Sequence, residues 1–167
     1  MGENLCVISS LLVLNSDPER TDFDLTCKEA RKKGNELVTS LKQMVEAANA
    51  AVPRITPQQA REMIVTGETL VVDVRDAPEV EKSGKVAGAV HVSRGMLEFR
   101  ADPESPSHDK NFAKDKTVIV YCASGGRSAL AGKVLKEMGY SRVYNLGAFK
   151  DWAESDGGVE RPIELGM

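Results

Sequence analysis

Cysteine is scarce in this chain, with three in 167 residues: Cys6, Cys27 and Cys122. They show no paired spacing and no CxxC, which excludes a disulfide framework and a structural zinc site. Histidine is scarcer still, with only His91 and His108, so neither a metal nor another cofactor is expected. Charge of one sign is not in excess. Its 22 basic and 25 acidic residues give a net charge of -3, too little to create a field for nucleic acid or an anionic membrane. No apolar run is long enough to span a bilayer. Leu5 to Leu14 (LCVISSLLVL) is about as long as a signal-peptide core. No Lys or Arg precedes it, and no small-residue cleavage pattern follows. It is read as an extra packed apolar segment or as the product of a start codon placed too far upstream. Unpaired cysteines fit a reducing, cytoplasmic compartment.

The composition that remains is that of a globular domain, 41% hydrophobic and 28% charged. Residues 15 to 24 read as a polar linker. Leu25 to Ala51 is predicted to be one helix, with Leu37, Leu41, Met44, Val45 and Ala48 on an inward stripe. Pro53 ends it. Thr56-Pro57-Gln58-Gln59 signals a new helix, with Thr56 as cap, Pro57 at the first position and Gln59 closing a capping box. That helix should run to about Val65.

From there strands and helices alternate. Strands are predicted at Leu70–Val74, Ala89–Val92, Thr117–Tyr121 and Val143–Asn145. Short helices are expected at Ala77–Lys82, Gly95–Phe99 and Ala148–Ala153, the last anchored by Phe149 and Trp152. A longer helix spans Arg127–Met138, with Leu130, Val134, Leu135 and Met138 inward. Residues from Glu154 onward read as a polar tail. Alternation of this kind gives a three-layer α/β domain with a mostly parallel sheet flanked by helices. Three parts are expected: an N-terminal helical extension over 1–54, the α/β domain over 55–160 and a tail over 161–167.

Sheets of this type bind ligands beyond the carboxyl ends of their strands. Tyr121 to Ser128 (YCASGGRS) lies at that place, between the best strand and the longer helix. Cys122 ends the strand. Ala123 and Ser124 are small and leave the loop mouth open. Gly125 and Gly126 permit backbone angles that turn successive N–H groups inward. Arg127 and Ser128 start the helix, whose positive end faces the same point. This is a ring of donors for an anion lying over a thiolate. Cysteines in such settings titrate at roughly 3.5–7.5 against about 8.5 for a free thiol. Each unit of depression is worth about 1.4 kcal/mol, while a helix end supplies about 0.3–1 kcal/mol. Inward N–H groups must therefore supply much of the rest, aided by Arg127 if its side chain lies near. The alternative is a buried structural cysteine before a glycine turn. Cys6 and Cys27 lack this context and are read as non-catalytic.

With DVRDAPEV (Asp73–Val80), GKVAGAVHV (Gly84–Val92), YCASGGRS and NLGAFKDW (Asn145–Trp152) in this order, the chain resembles a single-domain rhodanese over about residues 55 to 160. The resemblance implies sulfur transfer. A Cys122 persulfide would form from a small anionic donor such as thiosulfate, and cyanide or a thiol would then take the sulfur. It also implies Asp73 and Arg75 as a structural ion pair, while Arg94 either holds an anionic donor or is simply solvated. His91 is expected to be a satisfied core histidine. An alternative is a persulfide carrier or regulatory module serving a partner protein. A third is a phosphatase or arsenate reductase of the same fold. Four residues separate Cys122 from Arg127, whereas the phosphatase relatives carry five, and the shorter loop favours sulfur. Two departures from the family pattern concern the pocket edge: a single Gly147 where a pair is usual, and GGVERP near the end.

Overall fold

The computed structural model describes residues 39–161. Four parallel strands form the sheet: β1 (Thr69–Asp73), β3 (Val90–His91), β4 (Thr117–Cys122) and β5 (Val143–Ala148), in the order β3-β1-β4-β5. Residues 53–55 extend it beyond β5, where the Ile55 N–H donates to the Asn145 carbonyl and the Asn145 N–H donates to the Pro53 carbonyl. The strands read as apolar runs because both faces are covered. Val72, Val74, Val118 and Val120 pack on one side with Leu97, Phe112, Leu135 and Tyr140. Val71, Ile119, Tyr121 and Leu146 pack on the other with Ile55, Ala60, Phe149 and Trp152. This is the expected three-layer α/β architecture.

The helices are α1 (Leu41–Ala51), α2 (Pro57–Val65), α3 (Ala77–Ser83), α4 (Leu97–Ala101), α5 (Gly126–Glu137) and α6 (Phe149–Glu154), with a 3-10 turn at Arg94–Met96 before α4. The Thr56 box forms as its residue types require. The Gln59 N–H donates to Thr56 Oγ1 at 3.2 Å, and the Thr56 N–H donates to Gln59 Oε1 at 2.9 Å.

Several expectations are corrected. The predicted helix over Leu25–Ala51 is not continuous. Ser40 is extended and caps α1 through a second box with Gln43, and residues 25 to 38 lie outside the described residues. Leu37 of the expected stripe lies outside the described residues, and of its described members only Ala48 is buried. Leu41 is 69% exposed and Met44 is also exposed, whereas Ala48 and Val52 enter the core. The inward face of α5 is shifted as well. Ser128, Ala129, Ala131, Gly132 and Leu135 are buried, and Leu130, Val134 and Met138 lie half-buried on its flank. Small residues line the contact because Val52 presses against Gly132, where an added Cβ would meet its methyls at 2.9 and 3.1 Å.

β5 also runs past Asn145. Val120 pairs with Asn145 but Tyr121 pairs with Gly147, so Leu146 is an extra residue in the ladder. Such a bulge re-aims the backbone at a strand's end. The polar tail hides one further element. β6 (Val159–Glu160) pairs antiparallel with β2 (Lys85–Val86). A pairing carried by backbone and by a Lys85–Glu160 ion pair leaves no apolar pattern to read.

Candidate active site

β4 delivers Cys122 to the sheet's carboxyl edge, and the loop to α5 folds back over it. Gly125 has φ 96°, a left-handed angle that a side chain resists. A Cβ there would lie 3.3 Å from the Gly147 Cα, so loop and bulge touch through two glycines. Gly147, at φ 90°, takes up the turn that follows the extra residue.

This backbone aims the Gly125 N–H at Cys122 Sγ, 3.1 Å away, and Ser128 Oγ lies 3.5 Å from the same sulfur. Burial pushes the Cys122 thiol up, since the residue is 0% exposed. The Ser128 hydroxyl and the N–H groups of Ser124, Ser128 and Gly125 outweigh it, so the net shift is downward. Ala123 and Ser124, next in the chain, are exposed. Of the loop read from the sequence, Ser124, Gly125 and Ser128 direct donors at the Cys122 sulfur.

Arg127 points elsewhere. Its guanidinium grips Glu79 with two bonds, Nη1 to Oε2 at 2.7 Å and Nη2 to Oε1 at 2.8 Å, and reaches Asp76 Oδ2 at 3.1 Å. Asp76 is the cap of α3 and Glu79 its capping-box partner. Arg127 therefore makes no hydrogen bond to the sulfur, and it interacts with Cys122 only through space. Its charge is spent largely on two carboxylates, and it ties the start of α5 to the start of α3. The bidentate grip of Arg127 holds the Glu79 carboxyl down at about 2.

Asp73 and Arg75 form a buried pair at 2.6 Å. Arg75 also donates to Ser83 Oγ and to the Gly84 carbonyl, and its guanidinium lies 4.2 Å from the Phe149 ring centroid. It braces α3 and bonds to no loop residue. Arg94 is paired with Glu98 at 2.9 Å. His91 Nε2 sits 2.9 Å from the Arg75 carbonyl, a satisfied histidine. Among the described residues no cluster of His, Cys, Asp and Glu could hold a metal, and no helix is long and apolar enough to cross a membrane.

One residue of the site escaped the sequence reading. Asn145 is 1% exposed. It accepts from Ser128 Oγ at 2.8 Å and from the Gly147 N–H at 2.9 Å, and it donates to the Gly125 carbonyl at 3.2 Å. The available signal was Asn-x-Gly at a strand's end, where a short amide side chain bonds the backbone two residues on.

Residues 56–155 match the profile of the rhodanese-like domain. The chain belongs to the rhodanese-like family. It is 35% identical over 113 residues to the thiosulfate sulfurtransferase GlpE of Glaesserella parasuis serovar 5 (strain SH0165), covering 67% of this chain and 93% of that protein. It is 30% identical over 105 residues to YrkF of Bacillus subtilis strain 168, provisionally described as a sulfur carrier, covering 62% of this chain and 52% of YrkF. Among solved structures, a Rhodopseudomonas palustris protein described as a possible tyrosine phosphatase superposes with a TM-score of 0.69. That match has 36% identity and covers 74% of this rhodanese-like chain and 96% of that one.

Proposed function

We propose that this protein is a sulfurtransferase of the thiosulfate type and that Cys122 carries the sulfur. The observation that carries the reading is the sulfur at the end of β4, held by the Gly125 N–H and Ser128 Oγ and drawn toward the thiolate. The thiolate attacks the outer sulfur of the donor. A Cys–S bond forms, and the donor's S–S bond breaks with its electron pair leaving on sulfite. The acceptor, cyanide or a thiol, then attacks the terminal sulfur of the persulfide. That second S–S bond breaks and returns the thiolate. The inward N–H groups stabilise negative charge in both halves. The loop from Ala123 to Ser128 is the anion-binding element of this mechanism, Asp73 and Arg75 brace α3, and a reducing cytoplasm suits the free thiol.

A specific observation favours a second reading. Arg94 and Arg127 are both paired to carboxylates, so neither offers an unpaired cation to a dianionic donor. A persulfide carrier that exchanges sulfur with a partner protein's thiol suits that mouth better. The relationship to YrkF points the same way. Phosphate chemistry is disfavoured by the four-residue spacing from Cys122 to Arg127 and by the direction in which Arg127 points.

Thiocyanate formation from thiosulfate and cyanide tests the reading, with Cys122→Ser as control. Strong turnover that the variant abolishes is the expected result. A Cys122 persulfide seen by mass spectrometry with negligible turnover selects the carrier. Hydrolysis of an aryl phosphate without sulfur chemistry overturns both.

A further inference from the structure

Ser128 Oγ has one proton and three acceptors in reach. Asn145 Oδ1 lies at 2.8 Å, the Gly125 carbonyl at 3.0 Å and Cys122 Sγ at 3.5 Å. The shorter distances favour the oxygens when the sulfur is a neutral thiol. A thiolate or a persulfide anion is a stronger acceptor and competes for the same proton. Turning the hydroxyl toward sulfur is costly only if it strands a buried oxygen, and here it does not. Asn145 Oδ1 keeps the Gly147 N–H. The Gly125 carbonyl keeps Asn145 Nδ2 and the Ala129 N–H, at 3.2 and 3.0 Å. The amide's orientation is fixed by its backbone partners, since an N–H requires its oxygen and a carbonyl requires its nitrogen.

We propose that Asn145 is a positioning residue for the sulfur-transfer reaction. It holds Ser128 Oγ and the Gly125 carbonyl so that the hydroxyl proton rests on Asn145 Oδ1 and turns to Cys122 Sγ when the sulfur becomes anionic. Asn145 touches neither the sulfur nor a substrate, and its effect passes through Ser128. The inference rests on the reading of Cys122 as the reacting sulfur.

The test reads the sulfur's titration rather than turnover. Thiolate absorbance in the ultraviolet, or the pH dependence of alkylation at Cys122, is followed in the wild type, Ser128→Ala, Asn145→Ser and the double variant. Serine at 145 can still bond the Gly147 N–H as a local turn, but it is too short to reach Ser128. The expected result is an upward shift of the titration midpoint of about one pH unit in Ser128→Ala, as for loss of a charge-assisted bond. Asn145→Ser removes a bond made only while the sulfur is neutral, so its midpoint should fall below that of the wild type, and the double variant should match Ser128→Ala alone, because without the hydroxyl Asn145 has no effect to pass on. Independent, additive shifts overturn the proposal. So does an Asn145→Ser midpoint equal to that of the wild type with only the melting temperature lowered. If Asn145→Ser does not fold, Asn145→Asp replaces it in the cycle, because it keeps the shape. Its shift must then be smaller in the Ser128→Ala background than in the wild type, and an equal shift in both overturns the proposal. The two readings fail separately: thiocyanate turnover that survives Cys122→Ser sinks the functional reading, whereas the coupling between Asn145 and Ser128 is read from titration alone.

Discussion

At Cys122 two requirements oppose each other. A nucleophile must be reached, yet this residue has no exposed surface. Its environment resolves the electrostatic half of the conflict, because donors from Ser124, Gly125 and Ser128 outweigh the cost of burying charge. The steric half remains, because a residue with no exposed surface must be uncovered before a donor meets its sulfur. Alkylation should show both effects. The rate with a small reagent such as iodoacetamide should rise with pH and reach half its plateau below the ordinary thiol value of about 8.5. A bulky maleimide should react far more slowly relative to its rate with a free thiol. Stopped-flow or mass-spectrometric rate measurements check both points.

Glu79 carries a second residue-scale prediction. Its folded value of about 2 lies below the ordinary carboxylate value. The Glu79–Arg127 pair therefore contributes its full stability above the unfolded value of about 4.3 and loses it as pH falls toward 2. Glu79→Gln should lower the urea midpoint near neutral pH, and the gap from wild type should close on acidification. A series of denaturation curves from pH 7 to pH 2 measures it. Because the pair is partly solvated, the effect is modest.

Among the elements, those the sequence made legible were those whose signal is local. The Thr56 box, the apolar run of β4 and the glycine loop each declare themselves within a few residues. What stayed hidden depends on distant partners. The break at Ser40 needed the reading of a second capping box inside an otherwise helical stretch. β6 needed β2, far away in sequence. The buried face of α5 followed from how closely α1 approaches it, which no periodicity reports. Arg127 was legible as a cation at the loop, but its carboxylate partners come from another helix. The α1–α5 approach yields its own prediction. Gly132→Ala should destabilise the domain by about 1–3 kcal/mol through overpacking against Val52, despite alanine's better helix propensity. In a Val52→Ala background the same substitution should cost much less, since the colliding methyls are gone. Urea unfolding of the four proteins in that cycle supplies the answer.

For the molecule as a whole, the antiparallel clasp matters most. β6 lies across β2, the Gly88 N–H donates to Glu160 Oε2 at 3.2 Å, and Lys85 pairs with the same carboxylate. This holds the segment after α3, whose start Arg127 grips from α5. Ending the chain at Gly158 should remove roughly 1–2 kcal/mol, about one to two net hydrogen bonds. It should lower the melting temperature by a few degrees while leaving the Cys122 titration near its wild-type position. Circular dichroism melts and the alkylation profile separate the two effects.

The same clasp sets a timetable for synthesis. Lys85 and Glu160 stand 75 positions apart, and chains grow from the amino end at roughly 5–20 residues per second. β1, β4, the sulfur-bearing loop and the Asn145 bulge are all translated before the residue that locks β2. A nascent chain therefore receives the residues of its reactive centre first and those of its clasp about one to three seconds later, with the segment after α3 still unfastened in between.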